Sequence, residues 1–198
     1  MSRSLQGGFT ILETLFVVAL IAVISVIALP MVGNTLADFR VSGDVRGAAN
    51  AVALSKMRAA SKFSRVRLYV EVAANRYHLE VFDKTSAICC WQPEGGYTYL
   101  STGTSFDYSP VATAPASTQG TIGQAGPCVN DAGATVANTA CVIFNSRGTP
   151  VTNGNTITAE HALYIKNNMA VYGITVAATG MIRTWRTRPL AAPSWVMQ

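Results

Sequence analysis

The sequence predicts an α+β fold, with one long amino-terminal α-helix packed on a mostly antiparallel β-sheet domain. Three observations predict it. An almost unbroken apolar run, Phe9 to Leu29, leads into a segment whose apolar residues recur at helical spacing as far as about Phe63. From Arg65 onward, short alternating runs bounded by turn residues take over. The length of 198 residues leaves room for that helix and one globular domain of about 130 residues. The expected divisions are a leader at 1–8, an apolar helix half at 9–32, an amphipathic half at 33–63 and a β-rich domain at 64–198.

Only Thr10, Glu13, Thr14 and Ser25 interrupt the apolar run. As a helix rising about 1.5 Å per residue it would span roughly 30 Å, the thickness of a hydrocarbon core. Glu13 is out of place there, because a carboxylate in lipid costs several kcal/mol unless it finds a partner. A secretory signal peptide would have a shorter apolar region, no internal carboxylate and a small-residue cleavage site after it. An ordinary membrane anchor accounts for the length but not for Gly7, Gly8 or Glu13. With Arg3 upstream, the string Gly7-Gly8-Phe9-Thr10-Ile11-Leu12-Glu13 resembles the type IV prepilin signal. That resemblance implies cleavage after Gly8 by a prepilin peptidase and methylation of the new amino terminus at Phe9. The Glu13 carboxylate could then pair with the Phe9 amine of a neighbouring subunit, each charge relieving the other's desolvation. It could also pair with its own Phe9 amine, four residues away on the same helix face. Pro30 either ends the helix or kinks it; the kink is expected, because the next segment also reads as helix.

In that segment Val41, Val45, Ala48, Ala49 and Val52 form one apolar stripe. Lys56, Arg58 and Lys62 near its end suit the helix dipole. Arg65 to Val72 then alternates, with Val66, Leu68, Val70 and Val72 on one face. A turn at Ala74-Asn75 leads to Tyr77, Leu79 and Val81, a hairpin pattern. Residues 101–139 are rich in Ser, Thr, Ala, Gly and Pro and read as a long irregular surface connection. Strands are expected at Ala140–Phe144, His161–Ile165, Ala170–Ala177 and Met181–Thr187.

Net charge is +5, yet only 13% of residues are charged, too sparse for a generic nucleic-acid binder. No Lys or Arg lies between Lys84 and Arg147, whereas five lie from Arg147 to Arg188 against Glu160 alone. Within that basic end, Arg183, Trp185, Arg186 and Arg188 form a candidate DNA-binding strand, since arginines hold phosphates and an indole stacks on bases. The plainer reading is a charged edge strand that suppresses unwanted pairing. Four cysteines occur, Cys89, Cys90, Cys128 and Cys141. A Cys89–Cys90 bridge would be strained, so either that pair cross-links to Cys128 and Cys141, or Cys128 joins Cys141. Zinc fits poorly, because adjacent cysteines are badly spaced as ligands and neither histidine is near in sequence. No catalytic constellation stands out: His78 and His161 are isolated, and no nucleophile turn or phosphate loop is present. No enzyme activity, metal or cofactor is expected.

Two distal strings, Val142-Ile143-Phe144-Asn145-Ser146-Arg147-Gly148 and Thr179-Gly180-Met181-Ile182-Arg183, resemble the H-type pseudopilin family. That family comprises the H-type minor pseudopilin of type II secretion and related minor pilins of type IV pili. The resemblance covers the helix and most strands, but not 101–139 or the tail after Arg188. It implies a non-enzymatic subunit of a bacterial type IV pilus or type II secretion pseudopilus, priming assembly or sitting near the tip. Its partners would be other pilins or pseudopilins, the prepilin peptidase and the inner membrane, with the carboxyl-terminal domain in the periplasm. The alternative is an exposed minor pilin that captures DNA for uptake.

Overall fold

The structure, a computed structural model, describes residues 10–85 and 90–198, apart from the side chains at 27 and 29–31. The elements run in the order α1 (Ile11–Ser61), β1 (Val66–Glu71), β2 (Arg76–Phe82), β3 (Trp91–Tyr99), β4 (Thr139–Phe144), β5 (Pro150–Val151), β6 (Ala162–Lys166), β7 (Val171–Val176), β8 (Ile182–Thr187) and β9 (Val196–Met197). The fold is α+β, as the sequence predicts. The chain divides into two compact units, Met1–Leu36 and Ala37–Gln198.

In the first unit, Thr10 caps α1 by accepting a hydrogen bond from the Glu13 amide at 3.2 Å. This is one half of a capping box, in which the helix supplies an acidic residue three positions after its cap. The large apolar side chains of Ile11–Val26 are exposed, from 46% at Val17 to 86% at Ile11. Among the described residues no helix is long and apolar enough to cross a membrane. The helix runs on through Pro30 without ending; the kink expected there turns on side chains outside those described.

In the second unit the stripe Val41, Val45, Ala48 and Val52 is buried, and Ser55 and Ala59 extend it by about two further turns. The helix stops in a Schellman motif: the Ser64 amide donates to the Ala59 carbonyl and the Phe63 amide to that of Ala60. Phe63 takes the left-handed conformation that glycine usually occupies there.

The strands form two antiparallel sheets, ordered β3-β2-β1-β4-β5 and β6-β7-β8-β9. The predicted hairpin forms β1 and β2 with Leu68 opposite Leu79, and Asn75 turns it at positive φ. One core joins the helix stripe to Val66, Leu68 and Val70 of β1, Ala140, Val142 and Phe144 of β4, and Leu163, Ile165 and Ile174 of β6 and β7.

Sequence alternation misses β3, β5 and β9. β3 carries Pro93, Gly95 and Gly96, residues that argue against a central strand. It is instead an edge strand with an irregular register against β2, where a missing N–H and a glycine at positive φ are tolerated. β5 and β9 are too short to show a period.

Residues 101–139 depart furthest from expectation. They are irregular, but they are not a surface connection: Phe106, Val111, Ile122, Ala125 and Cys128 are buried. Part of the segment clads the face of β6 and β7 that points away from the helix, where Val111 and Ile122 cluster with Tyr164, Val171 and Trp195. Another part clads the outer face of β1 and β4, where Cys128 packs with Cys141, Ile143 and Val151. Covering both faces explains why every residue of β7 is buried.

Candidate functional site

Of the amino-terminal processing residues, Gly8 and Phe9 lie outside the described residues. Glu13 sits in the first turn of α1, exposed, where a carboxylate is favoured by the helix dipole. Its charge alone points only to half of an ion pair. The Thr-x-x-Glu spacing already carried a second signal, and the Thr10 cap realises it.

The basic strand candidate is divided by its own pleat. β8 is not an edge strand, because β7 flanks one side and β9 the other. Successive side chains of a strand face opposite ways, so Arg183 and Trp185 lie on one face and Arg186 on the other. Arg186 reaches the helix and pairs with Asp38 at 2.9 Å, each side chain a little over 40% exposed. The Trp185 indole N–H donates to Thr175 Oγ1 at 2.9 Å. Arg183 and Arg188 are exposed. The four residues therefore do not present one continuous face.

Cys128 is joined to Cys141, with Cα atoms 5.0 Å apart. This rules out the alternative in which both link to the Cys89 and Cys90 pair. Cys90 is buried and Cys89 lies outside the described residues. The bond ties the 128–136 cladding to β4, beneath which lies a buried polar cluster that the sequence did not reveal. Arg67 donates to Glu80 at 2.5 Å and to the Val129 carbonyl at 2.8 Å. Burial lowers the Arg67 pKa, and the adjoining Glu80 carboxylate opposes that shift. His78 Nε2 lies 3.0 Å from Glu80 Oε1, so Glu80 is shared between Arg67 and His78. A concavity of about 290 Å³ opens beside the cluster, bordered by Trp91, Tyr97 and Asp131. Its aromatic rings are already covered by guanidinium groups, Arg67 over Trp91 and Arg76 over Tyr97, both at 4.1 Å. The cluster therefore reads as internal packing. His161 is also buried and holds the Val151 carbonyl at 2.9 Å; burial lowers its pKa. Among the described residues no group of His, Cys, Asp and Glu could hold a metal ion.

The two distal strings meet in space. The turn at Gly148 abuts the turn at Gly180, and the side chain of Lys56 on α1 runs between them to donate to the Gly180 carbonyl at 2.9 Å. Gly180 has φ +77°, and a Cβ there would collide with the Gly148 carbonyl oxygen. Strings 30 residues apart in sequence thus form one junction between the helix and both sheets.

The chain is similar to two solved structures of the minor pseudopilin EpsH from the type 2 secretion system of Vibrio cholerae. In one, identity is 13% and the TM-score 0.46, covering 73% of this chain and 95% of that one. In the other, identity is 14% and the TM-score 0.46, covering 76% and 92%. No protein-family model matches the chain. No curated protein matches it either.

Proposed function

We propose that this chain is a minor pilin or pseudopilin, a structural subunit of a type IV pilus or type II secretion pseudopilus. A prepilin peptidase cuts after Gly8 and Phe9 becomes the methylated amino terminus. The apolar half of α1 holds the subunit in the bacterial inner membrane with the rest in the periplasm, and later packs among like helices in the filament. There the subunit primes assembly or sits near the tip.

The observation that carries this reading is the first unit: a helix with large apolar side chains exposed on every side, headed by an acidic residue. Water does not tolerate such a surface, but a bilayer or a bundle of like helices covers it. The Thr10 cap offers Glu13 a rival, purely local role, so the test must separate charge from capping. Glu13→Gln keeps a side chain suited to the capping box and loses the charge, whereas Glu13→Ala loses both. Both variants are expected to insert in the membrane normally and to be depleted to a similar extent from sheared filaments or from partner pulldowns. Normal incorporation of Glu13→Gln would reduce Glu13 to a cap and remove its role in assembly.

DNA capture for uptake is the weaker reading. Exposed Arg183 and Arg188 favour it, while the Asp38 partner of Arg186 and the opposed faces of β8 count against it.

A further inference from the structure

Beside the junction of the two glycine turns lies an apolar groove of about 450 Å³. Ala53, Met57 and Ala60 of α1 form one wall, and Met181 and Ile182 at the start of β8 form the other. The alanines leave the depression, and the methionines fill its lips, 62% exposed at Met57 and 51% at Met181. Flexible thioether side chains adapt to varied apolar partners. The rim is cationic. Arg147 borders the groove, and Arg183 Nε lies 3.3 Å from Met181 Sδ, which brings a second guanidinium alongside. Among the described residues neither arginine forms an ion pair, and nor does Lys56 in the groove wall. From Arg147 to Arg188 the chain offers only Glu160 as a counter-charge.

We propose that this groove docks an acidic amphipathic segment of a partner protein, its apolar side chains on the methionine and alanine floor and its carboxylates on Arg147 and Arg183. Charge complementarity selects this occupant, because an apolar floor bordered by Arg147, with Arg183 alongside and no ion pair formed by either among the described residues, suits an apolar ligand with carboxylates at its edges. Nucleic acid fits less well: no aromatic ring lines the groove for a base to stack on. The proposal does not rest on the filament reading, since its test requires no assembly.

The test uses the full chain in non-ionic detergent and fluorescence anisotropy of two labelled peptides. One alternates leucine pairs with glutamate pairs; the other replaces each glutamate by lysine. The glutamate peptide is expected to bind saturably and about tenfold more tightly than the lysine peptide, with affinity falling as salt rises. Met57→Glu, at an exposed position, is expected to weaken it about fivefold or more. Arg147→Glu combined with Arg183→Glu is expected to reverse the preference towards the lysine peptide, a gain that a misfolded variant would not show. Equal binding of both peptides, absence of saturation, or binding of a labelled DNA duplex in place of the peptide would overturn the proposal.

Discussion

Single residues show how firmly the second unit is specified. Gly180 is needed twice over, for its positive φ and for its approach to the Gly148 carbonyl. Gly180→Ala is therefore expected to lower unfolding free energy by about 2 kcal/mol or more; a denaturation midpoint equal to wild type would show that the turns can part cheaply. Asp107 links the cladding to β6. Burial tends to raise its carboxyl, but the Lys166 ammonium at 2.6 Å and hydrogen bonds from Ser109 and Tyr108 outweigh burial and bring it down to about 2. A depressed carboxyl stabilises the fold above its unfolded value, near 4, and loses that stabilisation as pH falls toward 2. Between those pH values, wild type is expected to lose more stability than Asp107→Asn, as measured by urea titration at each pH. Parallel pH profiles would mean that the Lys166 contact contributes nothing.

Among the elements, the 101–139 cladding depends on side chains that imitate strands. The Gln124 amide donates to the Tyr164 carbonyl and accepts from the Tyr164 amide, both at 2.9 Å, so one side chain satisfies the middle of the open edge of β6, while the backbone of Ala125 and Ser105 bonds its two ends at Ala162 and Lys166. Gln119 holds the Tyr164 hydroxyl at 2.8 Å. The Cys128–Cys141 bond secures the other end. Replacing both by alanine is expected to cost about 3 kcal/mol, the loop-closure entropy of a bridge of this span. Urea unfolding of the double variant measures it, and hydrogen exchange would show the Val129 region opening first. An unchanged midpoint would mean that the apolar contacts hold the cladding unaided. Sequence reading caught the element's irregularity but not its burial. Its apolar residues, Phe106, Val111 and Ile122, are too widely spaced to show any period, although each fills a separate place on a sheet.

At the scale of the molecule, the two units have opposite surface logic. The first exposes apolar side chains along a helix, while the second buries its helix stripe and both faces of its central strands. The proposed assembly role belongs to the first unit and the proposed groove to the second, so the Glu13 and Met57 variants probe them separately. Whatever repeats locally is legible in the chain alone: the stripe from Val41 to Val52, the pairing of β1 with β2, and the helix continuing past Pro30. A period of 3.6 or 2 residues states which face is apolar without reference to the rest of the chain. Long-range packing settles the rest: Cys128 joins Cys141, Arg186 is drawn to Asp38 and away from its neighbours, and Gly148, Gly180 and Lys56 meet. Each of those outcomes turns on which strand lies beside which, and so on residues up to 148 positions apart in sequence.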